Sequence, residues 1–165
     1  MTERFVRASI TVAALVLISA AIAHAQRAVP ALRGLAEVHL LIEALDKDST
    51  ACGITEPQVR SAFMYLVSGA RFSVTADPLA VSPVFYINII TSRGEGICAS
   101  MVETKVYSYQ KVKLEYQEYE RMSEVMLWST QSVTFSNSNR HSDEIKSVVE
   151  DMTKKFVTVW NLSNK

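Results

Sequence analysis

The stretch from Ser142 to Trp160 constrains the fold of this chain most. Ile145, Val148, Val149, Met152, Phe156, Val159 and Trp160 recur at helical spacing and line one face. On the other face Glu150 to Lys154 and Asp151 to Lys155 are i, i+4 pairs in the favourable order. Ser142 is placed to cap the helix, and Asp143 and Glu144 in its first turn complement the positive end of the dipole. A helix with so wide an apolar stripe must lie on a second apolar surface, which the strand-like segments upstream supply.

Leu35 to Leu45 alternates, with Val38, Leu40 and Ile42 on one side and Glu37, His39, Leu41 and Glu43 on the other, the period of a half-buried strand. Asp46 to Thr50 and Gly53 end it. Thr55-Glu56-Pro57-Gln58 reads as a capping box opening a helix, with Val59, Ala62, Phe63, Leu66 and Val67 as its buried stripe. Arg71 to Thr75 reads as a short strand, and Asp77-Pro78 and Ser82-Pro83 bracket a loop. Val84 to Thr91 has the β-branched and aromatic content of a strand, and Gly94-Glu95-Gly96 turns the chain. Two long extended segments follow, near Cys98 to Gln117 and Glu124 to Ser136, antiparallel across a turn around Glu120 and Arg121. This order predicts an α+β fold: a single mixed or mostly antiparallel sheet with two helices packed on one face.

Residues 1–25 have the form of an export signal. Arg4 and Arg7 precede a short apolar run, and Ala23-His24-Ala25 places small residues where a signal peptidase reads. The expected organisation is a signal peptide over 1–25 and a single α+β domain over 26–165, periplasmic or secreted. No later stretch approaches the ~20 apolar residues of a bilayer crossing, so no membrane span is expected after signal cleavage. Of the 17 basic and 17 acidic residues, the signal holds Arg4, Arg7 and Glu3, which leaves 15 against 16. A balance this even, without a basic cluster, speaks against nucleic acid as a partner. Cys52 and Cys98 both lie in the mature segment, and in an oxidising compartment a disulfide between them is expected.

Motifs that carry chemistry are sparse. No zinc, calcium, phosphate-loop or nucleophile-elbow pattern is present, so no cofactor, metal or catalytic residue is assigned. Ser108-Tyr-Gln-Lys111 matches S-x-x-K inside a strand, where residues three apart face opposite ways. Gly94-x-Gly96-x-x-Ala99 lacks the helix that a dinucleotide fingerprint needs. His39 shares a strand face with Glu37, which makes a histidine and carboxylate pair geometrically possible. His141 is read as loop or capping context. Lys105, Tyr107, Tyr109, Lys111 and Lys113 share one phase, as on an amphipathic strand with one side wet.

Several segments together resemble small exported α/β proteins of Gram-negative bacteria. They are the V-x-L-x-I strand Val38-His-Leu-Leu-Ile42, the helix start Gly53-Ile54-Thr55, the tyrosine-bearing Val106-Tyr-Ser-Tyr109, Leu127-Trp128, and the F-x-x-x-W-N ending from Phe156 to Asn161. The layout is similar to the amino-terminal α/β module of the TolB group. What the resemblance implies is a periplasmic domain that meets other proteins. The leading expectation is therefore a non-enzymatic interaction or accessory protein of the bacterial cell envelope, with a protein partner or self-association. The alternatives are a carrier of small apolar ligands in a pocket between sheet and helices, and a hydrolase or isomerase using His39 with Glu37 or Glu43.

Strand alternation also predicts which side of the sheet is left open. With Val38, Leu40, Ile42, Phe85, Ile87, Ile89, Val106, Val112, Leu114, Leu127 and Val133 towards the helices, the opposite face carries His39, Leu41, Tyr86, Ile90, Tyr107, Tyr109, Met126 and Trp128. An aromatic face of this kind is the candidate interaction surface.

Overall fold

The computed structural model describes residues 29–75 and 83–165. The predicted signal over 1–25 and most of the 77–83 loop fall outside the described residues. After a 3₁₀ turn at Pro30–Leu32 the chain forms β1 (Glu37–Ile42), α1 (Lys47–Ala51), α2 (Glu56–Val67), β2 (Ser73–Thr75), β3 (Val84–Arg93), β4 (Ile97–Lys113), β5 (Glu120–Asn137) and α3 (His141–Ser163). The strands make one sheet in the order β2-β1-β3-β4-β5. β1 is parallel to both β2 and β3, and the long β3-β4-β5 meander is antiparallel, so the sheet is mixed. This is the α+β architecture that the order of periodicities predicts.

Both long helices lie on the same face, and Phe85 of β3 shows why. Its ring is 4.6 Å from Phe63 of α2 and 5.0 Å from Phe156 of α3, so one fully buried side chain contacts both helices. Phe72 joins the cluster edge-on to Phe156 and Trp160. The indole N–H of buried Trp160 donates to the Leu35 carbonyl at 2.8 Å, satisfying a polar atom that apolar packing alone would orphan. The 3₁₀ turn is tied to the end of α3 in the same way: Asn164 Nδ2 donates to Leu32 O, and the Val29 amide donates to Ser163 Oγ.

The predicted caps differ in detail. Thr55 occupies the N-cap of α2 but makes no side-chain capping bond, and Gln58, instead of reaching back, donates to the Ser142 carbonyl at 3.3 Å and joins α2 to the start of α3. α3 begins two residues early, at His141, with Arg140 rather than Ser142 at its N-cap. The polar run after β1 is the short helix α1, capped by Asp46, whose Oδ1 accepts from the Ser49 amide at 2.6 Å. The final hairpin turns within residues 114–119 and not at Glu120 and Arg121, which already belong to β5.

The predicted disulfide is present. Cys52 at the end of α1 is bonded to Cys98 of β4, with the Cα atoms 6.3 Å apart. It closes a sequence separation of 46 residues and pins the α1 connection to the sheet. Among the described residues no helix is long and apolar enough to cross a membrane.

One register shift changes which side chains face the core. Val106 pairs with Trp128 but Tyr107 pairs with Met126, so β5 carries an extra residue at Leu127. A bulge reverses the phase of everything beyond it. Trp128 therefore lies on the helix side, with its ring 5.3 Å from Phe156 and 6.3 Å from Phe85. Val133, expected on the helix side, lies on the open face and is 73% exposed.

Candidate functional site

The open face of the sheet is built from cross-strand rows. Leu41, Tyr86, Lys105 and Ser129 form one row across β1, β3, β4 and β5. Asn88, Glu103 and Gln131 form the next polar row, and Ile90, Met101 and Val133 an apolar one beyond it. Residues directly opposite have side chains in contact range, so each row is a continuous strip. Ile90 is 51% exposed and Met101 37% exposed, and Phe135, further along β5, is 78% exposed. Nothing among the described residues covers them.

Towards the other end of the face, aromatic and charged groups interlock. Tyr86 donates its hydroxyl to Glu43 Oε2 at 2.7 Å. Burial first, and then the Glu43 carboxylate, push its phenol up to about 12. Lys105 Nζ stands 4.9 Å from the Tyr86 ring centre and 5.1 Å from that of Tyr107, and pairs with Glu124 at 3.5 Å. Tyr107 packs edge-on against Tyr109 at 5.8 Å, and burial raises its own phenol as well. Tyr109 and Met126 remain exposed beside it.

Of the eight residues predicted for this face, the register places seven there: His39, Leu41, Tyr86, Ile90, Tyr107, Tyr109 and Met126. Trp128 is the correction, since the bulge turns it to the helix side, where it is half-buried against the core. Sequence reasoning missed Met101, Val133 and Phe135, and it missed Glu43 as the partner of Tyr86. Val133 and Phe135 were hidden by the phase reversal. Met101 is an ordinary member of the β4 alternation and was legible.

Among the described residues no acid or nucleophile is hydrogen-bonded to the His39 ring. Its Nδ1 is buried without a partner among the described residues, and no hydrogen bond joins it to Glu37 or Glu43. The space between sheet and helices, where an apolar ligand would sit, holds the rings of Phe63, Phe85 and Phe156. No group of three or more potential metal ligands occurs among the described residues.

The other histidine is the centre of a buried polar chain. His141 is fully buried at the start of α3. Ser49 donates to Thr91 Oγ1 at 2.7 Å, Thr91 and Ser100 are bonded at 2.7 Å, Ser100 meets His141 Nε2 at 2.7 Å, and Ser136 meets Nδ1 at 2.9 Å. Because Ser49 donates and each hydroxyl has one proton to pass on, Nε2 is left as acceptor and Nδ1 carries the hydrogen towards Ser136. Burial lowers the imidazole below the usual histidine range, although Glu144 opposes the shift, so the ring is held neutral. Beside Ser136 a cleft of about 400 Å³ opens between Ile97, Phe135, Asn137, Arg140 and Glu144. The chain of hydroxyls links α1, β3, β4, β5 and α3, which gives it a structural role.

The fold and the open face together define a class: a single-sheet α+β domain with helices on one side and an uncovered, partly aromatic sheet on the other. No protein-family model matches the chain, and no curated protein matches it. Among solved structures it is similar to a minor lipoprotein from Acinetobacter baumannii, at 6% identity and a TM-score of 0.39, over 76% of this chain and 90% of that one. Nothing in that likeness singles out the TolB group.

Proposed function

We propose that this chain is a non-enzymatic interaction or accessory protein of the bacterial cell envelope, exported to the periplasm or secreted, that presents the open face of its sheet to a protein partner. The observation that carries the reading is the uncovered strip Ile90, Met101 and Val133 on the same face as the Tyr86, Tyr107 and Tyr109 cluster, with the polar row Asn88, Glu103 and Gln131 between them. Exposed apolar and tyrosine-rich surface is costly to leave in water and is the composition that anchors interfaces. The Cys52 to Cys98 disulfide and the signal-like residues 1–25 support export.

The test is capture of partners from envelope extracts by the wild-type protein and by an Ile90→Lys, Met101→Lys double variant. Both substitutions sit on the open face, so the variant keeps its far-UV circular dichroism spectrum and loses the partner. A protein that captures nothing while turning over a panel of hydrolase substrates would sink the reading.

A further inference from the structure

The two edges of the sheet are treated very differently. β2 ends one side with three residues, too short to template another strand. β5 ends the other with 18 residues. From Val125 to Asn139 it and the following turn contain no charged residue, no proline and no glycine. The bulge at Leu127 leaves the stretch from Ser129 to Asn137 regular. An edge of this length and composition is one that folded proteins blunt unless it is paired.

The backbone shows which groups are on offer. The Ser138 amide donates to the Gly96 carbonyl at 3.0 Å, so even-numbered residues of this part of β5 bond to β4. Ser129, Gln131, Val133 and Phe135 then direct their N–H and C=O groups away from the sheet, and no hydrogen bond among the described residues reaches them. We propose that this edge pairs antiparallel with the same edge of a second copy, about a two-fold axis at Val133, to make a continuous ten-stranded sheet.

The sequence of the edge complements itself in that register. Val133 faces Val133 of the copy, and Gln131 faces Phe135, with all of these residues offering outward backbone groups. Ser132 faces Thr134 and Thr130 faces Ser136 on the helix side, the hydroxyl pairs that favour sheet pairing. No like charges meet anywhere along the contact, because the segment has none. Val133 is also the middle of the regular stretch between the bulge and the turn, so this axis uses the whole of it. The row Ile90, Met101 and Val133 runs up to the edge and would continue into the same row of the copy. The inference rests on the reading of the chain as an interaction protein and names a second copy as one partner.

Sedimentation equilibrium of the purified protein tests it together with three substitutions. The wild type is expected to be a dimer at micromolar concentration. Val133→Pro removes an outward N–H that β4 does not use, and should raise the dimer dissociation constant about tenfold or more through two lost hydrogen bonds. Val133→Lys, which places two cations on the axis, should be monomeric while retaining its far-UV spectrum. Val133→Cys should form an intermolecular disulfide on oxidation without any change in the Cys52 to Cys98 bond. A wild type that stays monomeric, or a Val133→Pro variant that dimerises as the wild type does, would overturn the pairing. Capture of an envelope partner by a monomer would overturn it and leave the open-face reading standing, whereas a dimer sensitive to Val133 that captures nothing would support the pairing and remove that reading.

Discussion

At the residue scale, His141 and Trp128 have roles that their neighbours in sequence do not disclose. Protonating His141 would put a hydrogen on Nε2, where Ser100 already donates, and the hydroxyl chain back to Ser49 would have to reverse. Its folded pKa lies below the ordinary histidine value of about 6.5, so on acidification the unfolded chain takes up this proton first. Stability contributed by neutral His141 is full above that ordinary value and is lost as pH falls below it. Asp46, held down chiefly by the Ser49 amide, acts in a separate window at lower pH, where its stabilisation is lost as the carboxylate is protonated. Urea unfolding at pH 7.5 and pH 5 should give a lower midpoint at pH 5, and the difference should shrink in a folded His141→Gln variant. For Trp128, replacement by alanine should cost about 3 kcal/mol in the same assay, the low end for a large aromatic side chain, because the ring packs against Phe85 and Phe156 but is only half-buried. Met126→Ala, two residues away on the open face, should stay within about 0.5 kcal/mol of the wild type.

At the scale of elements, the β4-β5 hairpin divides into two parts with different support. Residues 98–107 of β4 are flanked by β3 and β5, whereas 108–113 pair with β5 alone. A two-stranded ribbon without a third strand is marginal in water, so the arm that carries Tyr116 and Tyr119, both strongly exposed, is the least stable element of the sheet. Limited proteolysis should cut first within residues 114–119 and leave the rest of the domain folded, as mapped by mass spectrometry. Cleavage appearing first between β3 and β4 would contradict this order. The bulge at the base of the arm is where element-level reading of the sequence failed. Alternation alone carries the phase of Leu127 through to Val133, and nothing in Leu127-Trp128-Ser129 marks the added residue. Only the partner strand, by pairing Val106 with Trp128 and Tyr107 with Met126, fixes where the phase reverses.

For the whole molecule, one core and one disulfide predict a single cooperative unfolding transition. In the chain-entropy model a closed loop of this length contributes about 4 kcal/mol, so the Cys52→Ala, Cys98→Ala double variant should unfold at much lower denaturant while keeping its secondary structure. The sequence by itself determined the fold class, both long helices, the cysteine pairing and seven of the eight residues placed on the open face. Those features follow from local periodicity and composition, which act over one or two turns or along one strand. The tertiary structure decided the rest: the neutral state and tautomer of His141, the helix-side position of Trp128, the exposure of Val133 and Phe135, and the edge position of β5. Each of these depends on which atoms a distant segment brings alongside. Burial, register and hydrogen-bond direction belong to pairs of elements, and no single stretch of sequence contains both members.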